Sequence, residues 1–201
     1  MTRSHKAGRS GGSPSLMERF RRLRKDNRGV GAVEFALIAP LLLSLYITSF
    51  ELTIGLSMSK RVTRTASTIA DLVTQQQTTV TSAYLATMVD VANALFTPYS
   101  PQNLTMKITG VAVDSASNAT VAWSWDKDGG KPYNAGTTVA VPADMRAPDT
   151  FLVRAEVSVT HQLLMFMPGI MPSSLQNITL RREFYYRQRV GTKLDCSGCK
   201  A

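Results

Sequence analysis

Few side chains in this 201-residue chain are of a type and spacing that could do chemistry, and Glu34 is the one that most needs an account. It stands near the start of an apolar stretch, residues 29–59, in which residues 35–50 carry no charge and the apolar character resumes after a single Glu51. A carboxylate in such a helix costs about 2.5–3.5 kcal/mol at the bilayer centre, which makes it a functional hypothesis by default. At headgroup depth the positive helix N-terminus would instead favour it by about 0.3–1 kcal/mol. The residue alone leaves both readings open. Glu51, near the other interface, reads as a solvated boundary residue.

The other candidates argue against catalysis. His5 lies in a polar leader and His161 stands alone after a predicted strand, so spacing assembles no Ser, His and acid set and no metal cluster. Asp126 and Asp128 open like a calcium loop, but its terminal Glu is missing, and Gly129 and Gly130 read as a turn because no Lys-Ser or Lys-Thr and no helix follow. Cys196 and Cys199, spaced Cys-Ser-Gly-Cys, fall short of a four-ligand zinc site and do not open a helix after a strand. In an oxidising compartment they read as a local disulfide, with a redox or tethering role as the alternative. No metal, no cofactor and no enzymatic activity are expected.

Charge describes topology. The formal charge is +9, and residues 1–28 hold nine Lys or Arg against Glu18 and Asp26. A positive flank before a hydrophobic span keeps that flank cytoplasmic, so the chain from Lys60 onward is expected outside the cytoplasm. The remainder is nearly neutral and shows no basic stripe with interleaved aromatics, so no nucleic-acid partner is expected. Residues 1–15 are rich in Gly and Ser and lack large apolar side chains, which predicts disorder. Residues 16–25 read either as a basic amphipathic turn on the membrane surface or as a solvated leader.

The positioning elements follow from periodicity. One long helix is predicted from about Val30 to about Gln75, spanning the membrane over 30–59 and continuing with Val62, Ala66, Ile69, Ala70 and Val73 on one face. A second amphipathic helix carries Val80, Tyr84, Met88, Val91 and Leu95 and stops at Pro98 and Pro101. Beyond it the period changes to two, giving strands at 103–113, 119–125, 151–161 and 177–189. The fold class is therefore α+β: a long N-terminal transmembrane helix, a second amphipathic helix, and a roughly four-stranded antiparallel sheet. The expected division is a leader at 1–29, the membrane helix at 30–59, a helical stalk at 60–97, a β domain at 98–190 and a Cys-bearing tail at 191–201. Between the last two strands lies an apolar loop, Leu163, Leu164, Met165, Phe166, Met167, Pro168, Gly169 and Ile170, too short to span a membrane. It reads as a core-covering loop or as an exposed contact patch for a partner or the membrane surface.

The residues around Glu34 carry a resemblance. Arg28-Gly29-Val30-Gly31-Ala32-Val33-Glu34-Phe35, followed by an apolar run with Pro40, resembles the processing site of type IV prepilins. More narrowly, the opening RGVGAVEFALIAPLLLSLYITSFEL is similar to that of the TadE/TadG family of Tad (Flp) pilus assembly proteins, which are pseudopilins. The resemblance covers about 30 residues and implies a pilin-like plan, with a prepilin peptidase cutting between Gly29 and Val30. It further implies that Glu34 pairs with the N-terminal amine of a neighbouring subunit, and that Gly31, Phe35 and Pro40 belong to the motif. The implied partners are membrane lipid, the peptidase, other pilins and the Tad assembly platform, at a bacterial inner membrane. A cut at Gly31 and a signal-peptidase cut near Gly55 are the competing processing sites. An uncleaved single-pass anchor displaying a periplasmic binding or scaffold domain is the alternative function.

Overall fold

The computed structural model describes residues 17, 29–163 and 177–199. The expectations for His5, for the leader with its turn at 16–25, and for Leu164, Met165, Phe166, Met167, Pro168 and Ile170 fall outside the described residues. The chain forms two compact units, Met1–Ile47 and Thr48–Ala201.

The first unit holds the opening of α1 (Val30–Thr74), an unbroken helix that accepts Pro40 in its interior. Proline lacks the N–H that would bond the carbonyl of Ala36, so one ladder bond is lost there. Phe35, Leu37, Leu41, Leu45 and Tyr46 are all exposed, and the most apolar 18-residue window of the helix buries nothing. A helix apolar on every side and covered on none is suited to lipid. By length and composition α1 is able to cross a membrane.

In the second unit α1 becomes one-sided. Met58, Val62, Ala66, Ile69, Ala70 and Val73 are buried at intervals of three and four and form the core with a four-stranded antiparallel sheet. The strands are β2 (Gln102–Val113), β3 (Ala119–Asp126), β4 (Thr150–Gln162) and β5 (Asn177–Arg187), in the order β3-β2-β4-β5. Met106, Ile108, Trp125, Val153, Ala155, Val157 and Val159 share the sheet face in that core. The α+β class read from the sequence is the observed one, and all four predicted strands are present. Fully burying a Val, Leu or Ile side chain contributes about 1.5–3 kcal/mol, so the α1 stripe is a principal source of stability.

Two local features differ from expectation. The second helix, α2 (Ser82–Phe96), buries Leu85, Met88, Ala92 and Phe96, so of the predicted face only Met88 is fully covered within it. Its phase is set by Thr81, whose Oγ1 accepts the Tyr84 N–H at 3.1 Å as an N-cap, and Val80 precedes the helix in a short strand, β1 (Thr79–Thr81). The second difference is β6 (Asp195–Ser197), which pairs parallel with β1 and places Val80 opposite Cys196. Leu194, Cys196 and Cys199 are buried in the main core, and the two cysteines are disulfide-bonded. Trp123 secures this segment by donating its indole N–H to the Leu194 carbonyl at 2.7 Å, in a buried bond.

Gly110 of β2 lies opposite Trp123, beside a bulge in which β3 carries one extra residue, Ala122, and it leaves room for the indole, since a Cβ there would collide with the Trp123 ring and come within 2.7 Å of Phe151. On the opposite sheet face a smaller cluster of Val111, Val113, Ala119, Val141 and Leu152 is covered by the chain after β3. The β2–β3 turn is held by Asp114, whose Oδ1 accepts the N–H groups of Ala116 and Asn118 at 2.9 and 2.8 Å. The hydrogen bonds from Asn118 hold that carboxyl below its usual range.

Candidate functional site

Three groupings of side chains deserve a chemical reading. The first is the motif at the head of α1. Gly29 stands immediately before the helix and Val30 is its first residue. Gly31, Glu34 and Phe35 follow on exposed positions, and a Cβ at Gly29 or Gly31 would meet nothing. The helix has no acidic residue in its first turn, so Glu34 stands in the second. The macrodipole's influence fades within the first turn, which weakens the reading of Glu34 as a simple helix-terminus charge. Among the described residues nothing forms an ion pair with it.

The second grouping was not legible in the sequence. Glu51, expected at a solvated boundary, is 3 % exposed, and His161, expected to stand alone, places Nε2 3.3 Å from Glu51 Oε1. A lone His and a lone Glu far apart in sequence give no spacing signal. The pairing exists because β4 runs on through His161 and brings it against α1 at the level of Glu51. Beside the pair is an apolar cavity of about 390 Å³, walled by Leu52, Gly55 and Leu56 of α1 and by Leu163, Ile178 and Leu180.

The third grouping lies on the sheet face away from α1. Glu156, 4 % exposed, accepts the Tyr133 hydroxyl at 2.7 Å, pairs with Arg154 at 3.0 Å and is bound by Arg181. Arg154 also reaches Glu183 at 2.7 Å. Burial, and then the bond to Glu156, raises the Tyr133 hydroxyl above its ordinary value. Burial opposes the charge on Arg154, and the bonds to Glu183 and Glu156 outweigh it, so its pKa is raised. Every charge here has an opposite, which makes the cluster a clasp between β4, β5 and the 126–136 loop.

Asp126 closes its turn by accepting the N–H groups of Asp128 and Gly130 at 3.0 and 2.7 Å. Among the described residues no set of three His, Cys, Asp or Glu is close enough to hold a metal ion. The arrangement therefore offers one exposed carboxylate on an apolar helix, one buried acid–imidazole pair beside an apolar cavity, and a structural ion cluster.

Comparison with curated proteins and with solved structures gave no match. The family model of TadE-like proteins matches residues 29–71, the motif together with most of α1, and over this segment the chain is similar to TadE-like proteins.

Proposed function

We propose that the chain is a minor pilin or pseudopilin that takes part in assembling a Tad-type (Flp) type IV pilus. A prepilin peptidase removes the leader after Gly29, with the leader in the cytoplasm and the Thr48–Ala201 unit on the far side of a bacterial inner membrane. The observation that carries this reading is the coincidence of the Gly29 to Phe35 motif with the first residue of an apolar helix, inside the segment that matches TadE-like proteins.

The chemistry follows from Glu34. Cleavage removes the basic leader and leaves a free amine on Val30, and Glu34 lies four residues along, about 6 Å of helix rise away. In a low-dielectric setting the amine of one subunit and the carboxylate of the next neutralise each other. Removing one partner of such a pair costs about 3–5 kcal/mol, because the other is left buried and unpaired. An aligned row of these pairs would give a neighbouring subunit one favoured register.

Co-expression with a cognate prepilin peptidase, followed by mass spectrometry of the mature N-terminus, tests the reading. The expected product begins at Val30, and Gly29→Lys abolishes it; among the described residues nothing packs against Gly29, so that substitution leaves the fold of the Thr48–Ala201 unit intact. Membrane-extracted protein that keeps residues 1–29, under conditions that process a known pseudopilin, would replace this reading with an uncleaved anchor displaying a scaffold domain.

A further inference from the structure

The apolar cavity beside Glu51 has no part in the proposed processing or charge pairing. Its helical wall is formed by Leu52 and Leu56, 63 % and 55 % exposed, with Gly55 between them. A Cβ at Gly55 would meet nothing, so the glycine leaves a trough along the helix. The far wall comes from β5, where Ile178 is 44 % exposed and Leu180 is half-buried. Glu51 of α1 and His161 of β4 line the cavity, with Oε1 and Nε2 3.3 Å apart. A volume of about 390 Å³ falls in the range of small-ligand sites, which are concave and mostly apolar.

Position along α1 identifies the occupant. The uncharged run begins at Phe35, and residues 35–55 cover about 31 Å of helix at 1.5 Å per residue, one hydrocarbon core. The groove wall at Leu52 and Leu56 therefore stands at the far end of that core, on the same unbroken helix. Exposed leucines there, joined by an exposed isoleucine from the sheet, extend the lipid-facing surface one or two turns into the second unit. We infer that this groove seats an acyl chain of the leaflet against which the Thr48–Ala201 unit rests, and that the unit is thereby held to the bilayer surface by its sheet as well as by its helix. The inference rests on the membrane-spanning reading of α1 given above.

The test uses the full chain in phosphatidylcholine vesicles whose acyl chains are brominated, which quench nearby tryptophan. Three variants are compared: Leu42→Trp within the apolar run, Ile178→Trp on the groove rim, and Ile178→Trp combined with Gly55→Leu, which fills the trough. The buried Trp123 and Trp125 report through their unshifted emission that the fold is retained. The expected result is a loss of emission at position 178 comparable with that at position 42, reversed at 178 by Gly55→Leu. Quenching at 42 without quenching at 178 would overturn the inference and mean that protein, from this chain or a second copy, covers the groove. Quenching at 178 that Gly55→Leu does not reduce would also overturn it, since the lipid would then touch only the rim. Quenching at neither position would overturn the membrane reading itself, and the inference with it.

Discussion

The Glu51–His161 pair makes a quantitative prediction. Both side chains are almost fully enclosed, at 4 % and 11 % exposure, and they meet at 3.3 Å. Replacing one partner of a buried pair costs about 3–5 kcal/mol in general. Here the contact is long, so Glu51→Leu or His161→Leu alone is expected at about 2–3 kcal/mol, the lower end of that range and below. Leucine at both positions leaves no buried polar group there and extends the apolar wall of the cavity, so the double variant should cost about 2 kcal/mol less than the sum of the singles. For a unit of this size that difference corresponds to about 4–8 °C in Tm. The assay is urea unfolding in detergent, followed by the emission of Trp123 and Trp125 in the adjoining sheet. If the two single costs add to within about 0.5 kcal/mol, the residues do not interact and the reasoning is wrong.

Three further predictions concern the compact unit. Ile69→Ala should destabilise it by about 2–5 kcal/mol, while Leu42→Ala, on the uncovered part of the same helix, should change its unfolding by less than about 0.5 kcal/mol. Tyr133 has a raised pKa, so above pH 10 the unfolded chain releases its proton before the folded one does. Its contribution is thus fully present below that pH and lost as pH rises through the folded value, and Tyr133→Phe should flatten the alkaline fall in stability measured by pH-dependent unfolding. Gly110→Ala should be destabilising with Trp123 present and markedly less so in a Trp123→Ala background, because its Cβ collides with that ring; equal costs in both backgrounds, read by denaturant titration, would refute the packing account.

The parts of the fold that the sequence disclosed are those set by local period. The Val62, Ile69 and Val73 spacing reports the α1 stripe directly, and the alternation in 151–161 reports β4, because one face is buried over Met58 to Val73 of the helix and along the strand. The α2 face was misread because the apolar spacing that includes Val80 and Tyr84 competes with the one that includes Leu85 and Phe96, and only the Thr81 cap decides between them. The β1–β6 pairing was invisible because three-residue strands far apart in sequence carry no period, and their partnership depends on Trp123 holding Leu194. The same reason hid the Glu51–His161 contact. In the N-terminal segment the position is reversed: its motif is contiguous in sequence, while the structure adds chiefly the start of α1 at Val30.

The two glutamates that bracket the uncharged run meet opposite fates, and the contrast bears on function. Glu51 is enclosed by its own chain and lies 3.3 Å from His161 within the compact unit. Glu34 is exposed on a helix whose apolar window buries nothing, past the turn in which the helix dipole would favour it, and among the described residues it has no ion-pair partner. Once such a helix enters a membrane, an ionised carboxylate needs a donor or cation, and the headgroups or a neighbouring subunit can supply one. Glu34→Gln separates these two outcomes. A headgroup role predicts unchanged assembly, because an amide at that depth carries little penalty. A pairing role predicts normal membrane insertion and processing with loss of subunit association, read by cross-linking between cysteines placed along residues 36–46 of adjacent copies.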